Sequence, residues 1–192
     1  MKEKFITLQE KLMDLILLSG VILIGAMTVI GFFYGIVGAF VYLQTKSENK
    51  WLVLKKRQTI IFSLLLEISA LFSVGIFFIN ASLLPKWQGV TTVIISCFLA
   101  LWCLILIPLY LILLQKLATG VVFTKDMILN SVKLILLDFP TWVTQIFLMM
   151  VFSILTYLFP ATSIITVGYL VMRVNRIIEK KKTLFTVLQE GG

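Results

Sequence analysis

The chain has 192 residues, of which 60% are hydrophobic and only 14% charged, with a formal net charge of +8. Soluble domains sit nearer half apolar and a quarter charged, so this balance excludes an ordinary water-facing globule and points to one membrane-embedded unit. The sequence has no histidine, which removes the commonest general base and metal ligand, and no GxxxxGK[ST], HExxH or nucleophile-elbow pattern occurs; an enzyme, a metal site or a cofactor is therefore not expected.

Residues 1–14 are mixed, with Phe5, Leu8 and Leu12 at helical spacing, and read as a short helix lying in the membrane interface. Between Asp14 and Lys46 there are 31 residues without a charge. That is too long for one simple span, which needs about 20, and short for two full ones. The glycines near Gly31 and Gly35 divide the run, so residues 15–45 read as a helical hairpin. A basic loop follows. The next apolar run, 59–84, carries one charge, Glu67, and 89–115 carries none. Thr124 is a good N-cap for an amphipathic helix over 124–138, whose Asp126, Asn130 and Lys133 share a face. The last uncharged stretch is split by Phe159-Pro160 into spans 139–158 and 160–175. The fold class expected is all-α: a polytopic bundle of six membrane segments.

Charge placement sets the expected orientation. Sixteen of the seventeen basic residues fall in four clusters: Lys2 to Lys11, Lys46 to Arg57, Lys116 to Lys133, and Arg173 to Lys182. Basic residues collect on the cytoplasmic side of membrane proteins. A hairpin over 15–45 brings all four clusters to one side, whereas a single span there would divide them. Both termini are therefore expected in the cytoplasm of a bacterial cell, and the clusters answer to topology and anionic lipid without any nucleic acid. Trp51, Trp87 and Trp142 fall near span boundaries, where amphipathic rings are common, while Trp102 lies within a span and reads as a packing residue.

Few residues in such a chain can carry chemistry. Glu67 is the foremost, an ionisable group about 15 Å along a helix from Arg57, near the bilayer midplane. Three surroundings suit it: a protonated state, a bond to Gln145 or Thr144, or a partner subunit. A neutral, hydrogen-bonded Glu that helps helices pack is the plainer alternative. Gly31, Gly35 and Ala39 form a small-xxx-small ladder suited to close helix packing, inside the chain or with a partner. The helix over 124–138 suits either a partner or the inner leaflet. Cys97 and Cys103 point to different faces of one helix and read as apolar fillers.

Several stretches together resemble the YesL-like family of small bacterial integral membrane proteins. They are Gly35-Ile-Val-Gly-Ala39-Phe-Val-Tyr42, the basic entry Lys55-Lys-Arg-Gln-Thr-Ile-Ile-Phe62, Ile107-Pro108-Leu109-Tyr110, the helix leading to Phe139-Pro140, and a last span running into Arg173 and Arg176. The proline that the family often carries in its first glycine-rich turn is absent. The resemblance implies association with the permeases of a carbohydrate ABC importer, and no catalytic residue is carried over. The expectation is an accessory subunit that aids assembly or gating of such a transporter. The rival is a substrate-binding membrane protein or small transporter, similar to the capture subunit of an energy-coupling importer. A capture subunit needs an outward cavity with several polar groups, and the short outer loops, poor in such groups, disfavour it.

Overall fold

The computed structural model describes residues 2–27, 31–44, 51–86 and 89–180. Within them every regular element is helical: α1 (Lys2–Met27), α2 (Phe32–Gln44), α3 (Leu52–Lys55), α4 (Arg57–Leu83), α5 (Val90–Ala118), α6 (Lys125–Leu137), α7 (Phe139–Leu158) and α8 (Ser163–Lys180). Helices are the economical answer in lipid, because each satisfies its own backbone. The stretches Arg57–Leu83, Val90–Ala118, Phe139–Leu158 and Pro160–Lys180 are long and apolar enough to cross a membrane. Their outward faces remain apolar, as Leu65, Phe72, Phe98, Phe147 and Ile154 illustrate, which suits contact with a bilayer. Trp87, part of the basic loop and the end of the basic tail lie outside the described residues.

The N-terminal region differs from the expected division. No break separates an interfacial helix over 1–14 from a membrane segment, and α1 runs continuously to Met27. The reason is local: no proline, and no glycine before Gly20, interrupts it, and scattered charges alone do not end a helix. The chain then turns back into α2, which packs along α1 as an antiparallel hairpin. Three contacts fix its register. Gly25 meets Gly35, Val21 meets Gly38, and the Tyr42 hydroxyl donates to Asp14 Oδ1 at 2.9 Å.

At 13 residues, α2 is about 20 Å long, short of the ~30 Å hydrocarbon layer. It is nonetheless the middle of the molecule. Val37, Ala39, Phe40 and Val41 are wholly buried, and α1, α4, α5 and α8 all pack on it. Gly168 of α8 comes so close to α1 that a Cβ there would lie 2.5 Å from the Leu15 carbonyl oxygen. Its N–H donates to Ser19 Oγ at 2.8 Å.

Local chemistry closes the remaining helices. Gly120, at φ +77°, follows α5 and turns the chain in a conformation that L side chains rarely adopt. Thr124 caps α6, its hydroxyl accepting the Met127 N–H at 3.3 Å. The Met127, Ser131, Leu134 and Ile135 face of α6 is buried, while Leu129, Leu136 and Leu137 are exposed. Trp142, expected at a boundary, is fully buried, whereas Trp51 is exposed.

Candidate functional site: a chamber beside a capped hairpin tip

Glu67 is buried, and its partner is neither Gln145 nor Thr144. Its carboxylate accepts the backbone N–H of Phe32 at 3.2 Å (Oε1) and that of Phe33 at 3.4 Å (Oε2). The first N–H groups of any helix lack intrahelical acceptors, and in a low-dielectric setting each unsatisfied one costs several kcal/mol. Here α2 begins against α4, and a side chain from α4 supplies what water or an N-cap would supply elsewhere. The positive end of the α2 dipole favours the carboxylate in return. The backbone thus serves Glu67 where no basic side chain need do so.

This contact also fixes where the hairpin stops. Glu67 lies ten residues beyond Arg57, and α4 continues for sixteen more to Leu83. The tip therefore meets α4 part-way along, leaving the rest of the α4–α5 pair projecting beyond it by roughly 24 Å.

Beside the tip lies a chamber of about 590 Å³. Phe32, Phe33 and Ile36 form its inner end, while its walls come from α4 (Ala70 to Phe78), α5 (Trp102 to Leu114) and single turns of α7 and α8 around Met149 and Val171. Its volume falls within the range of sites that enclose drug-sized ligands. No charged side chain lines it. Two of its few polar groups are already engaged: the Tyr110 hydroxyl is 3.0 Å from Ser69 Oγ and 3.4 Å from Ser73 Oγ, tying α5 to α4. The Trp102 indole N–H is shielded and has no acceptor among the described residues. Pro108, inside α5, denies the Leu104 carbonyl its usual helical donor. Cys103 lines the chamber and Cys97 is exposed; among the described residues no group of His, Cys, Asp and Glu is placed to hold a metal.

The other sequence-selected residues are dispersed. Gln145 is fully buried on α7 and neither amide atom has a partner among the described residues; the indole N–H of Trp142, one turn earlier, has none either. The glycine ladder faces inward. A Cβ on Gly35 would sit 3.1 Å from the Val21 carbonyl oxygen, and one on Gly25 2.7 Å from that of Gly31. Ala39 is buried on the same helix. Gly25, on the opposite helix, was not part of the ladder read from sequence, nor were Ser19 and Gly168 singled out. Tyr110 was noted only within the Ile107–Tyr110 stretch. Comparison with family models, curated proteins and solved structures found no match to the chain.

Proposed function

We propose that the chain is a multi-pass protein of a bacterial cytoplasmic membrane that holds an apolar molecule in the chamber between α4, α5 and the α1–α2 tip, without catalysing its conversion. The single observation that carries this reading is the chamber itself, a half-open pocket bordered by several helices and almost free of polar groups. A ligand there is recognised by shape and by loss of water contact, at roughly 25 cal/mol per Å² of apolar surface covered. The composition of the walls argues against sugars and other polyols, which need several convergent polar groups. The topology belongs to the same proposal. The α1–α2 hairpin enters and leaves by one face as a re-entrant pair, four helices cross, and both termini are cytoplasmic. The basic clusters then share that side.

Association with transporter permeases, implied by the family resemblance, is the second reading. Glu67, Gly35 and Ala39 have internal roles, so contact would use another surface. The exposed Leu129, Leu136 and Leu137 of α6 favour that helix.

Native mass spectrometry of protein extracted from its own membrane tests the first reading. The wild-type chain should hold a non-protein mass that is absent from Ala70→Trp and Leu106→Trp, two substitutions that fill the chamber. Equal retention in well-folded wild type and variants would sink the chamber as a binding site.

A further inference from the structure

The chamber's place along α4 and α5 narrows the class of its occupant. Its α4 wall begins three residues past Glu67, at Ala70, and ends at Phe78. That is about 12 Å measured along the helix, so the walls run lengthwise with the spanning helices. Trp102 of α5 also lines it. The same two helices also expose apolar side chains, among them Phe72, Ile79, Val93 and Phe98. A molecule reaching it therefore comes from hydrocarbon, with its long axis along the helices.

The charges at the closed end of the α4–α5 pair complete the pattern. Between Arg57 and Lys116 the sequence carries only two charged residues, Glu67 and Lys86. Glu67 is committed to the α2 terminus. Lys86 is exposed in the turn between α4 and α5, eight residues or about 12 Å past Phe78. Lys86 is the one charge at this end of the α4–α5 pair, with Glu67 engaged elsewhere, and it complements an anionic group carried on an apolar chain.

From this placement we infer that the chamber takes one acyl chain of an anionic phospholipid, with the phosphate held near Lys86 and the chain end resting against Phe32 and Phe33. The inference rests on the chamber being a binding site, and names what fills it. The lipid is a resident ligand, distinct from the annulus around α4 and α7, because several helices border its chain.

The test uses the full chain purified in a mild detergent, stripped by repeated exchange and then offered phosphatidylglycerol, with bound masses read by native mass spectrometry. One phosphatidylglycerol per chain should survive exchange in the wild type. Ala70→Trp and Leu106→Trp should abolish that retention, and Lys86→Glu should weaken it by about fivefold or more, the effect of one lysine near anionic lipid. Unfolding temperatures near the wild-type value verify that the variants are folded. A chamber-dependent mass that is not a phospholipid would overturn the lipid assignment and leave the binding reading standing. Lipid retention indifferent to both chamber-filling variants would mark an annular lipid and overturn the inference. No chamber-dependent mass of any kind would end both.

Discussion

The Glu67 carboxylate receives the N–H of Phe32, a residue 35 positions earlier in the chain, and so caps a helix to which it does not belong. An intramembrane acid is usually suspected of moving ions or protons. Here geometry assigns it first to anchoring: it joins the α1–α2 hairpin to the long α4 helix at the point where the backbone would otherwise be unsatisfied.

Replacing that acid separates charge from hydrogen bonding. Glu67→Leu removes both acceptors and leaves the Phe32 and Phe33 N–H groups without their side-chain partner, at a cost of up to about 1–3 kcal/mol each. Glu67→Gln keeps one acceptor oxygen and loses the favourable charge at the helix end, so it should be milder. Thermal unfolding in detergent should rank wild type above Gln and Gln above Leu. A Leu variant as stable as wild type would show that the cap is immaterial.

Close helix approach makes a sharper steric prediction. Gly168→Ala puts a methyl group 2.5 Å from the Leu15 carbonyl oxygen and 2.8 Å from Ser19 Oγ. Backbone must move, with a cost of about 1–3 kcal/mol typical of overpacking. Gly20→Ala meets nothing within 4 Å and lies inside α1. It should be neutral or stabilising by about 0.4–1 kcal/mol. The unfolding temperature should fall for Gly168→Ala and stay level or rise for Gly20→Ala; matching losses would contradict the α1–α8 contact.

The hairpin register is open to cross-linking. A Cβ on Gly38 would lie 3.3 Å from Val21 Cγ1. In a chain with Cys97 and Cys103 changed to Ser, Val21→Cys with Gly38→Cys should form an internal disulfide under mild oxidation. Val21→Cys with Phe32→Cys should not. The number of thiols open to a maleimide after denaturation reads the result, and the reverse pattern would rule out this antiparallel register.

Orientation has its own check. In the same cysteine-free background, Lys86→Cys should react with a membrane-impermeant maleimide in intact cells, whereas Lys180→Cys should react only after permeabilisation. Labelling of both in intact cells would refute a shared cytoplasmic side for the basic clusters.

The Tyr110 hydroxyl tests how α4 and α5 are held together. Tyr110→Phe forfeits its contacts with Ser69 and Ser73 and keeps the ring on the chamber wall. The expected loss is small, near 0.6 kcal/mol, as is usual for hydrogen bonds between membrane helices.

Much of the helical order was legible because lipid imposes long apolar runs with little ambiguity. Thr124 announced the start of α6 through its side-chain chemistry. The continuity of α1 was hidden by Glu10, Lys11 and Asp14, whose charges suggested an interface while the backbone had no reason to break. Glu67 was conspicuous as a charge in an apolar run, yet its partners were not, since backbone N–H groups leave no mark in a sequence. The Gly168–Ser19 contact was illegible for another reason: 149 positions separate the two residues, and nothing local signals their meeting. The chamber is a deficit of packing among helices, and apolar residues read alike whether they fill a space or border one.

The borrowed cap of α2 has a consequence for biogenesis. As the chain leaves the ribosome, α2 is complete at Gln44, but its acceptor arrives only with residue 67 and is positioned only when α4 forms. Until then the amides at the start of α2 must keep water or headgroups as partners, because bare hydrocarbon offers none. The hairpin therefore settles to its final depth after α4 has entered, which makes its insertion a post-entry event. A released chain truncated before Glu67 should leave Gly31→Cys accessible to aqueous labelling, and the full chain should protect it.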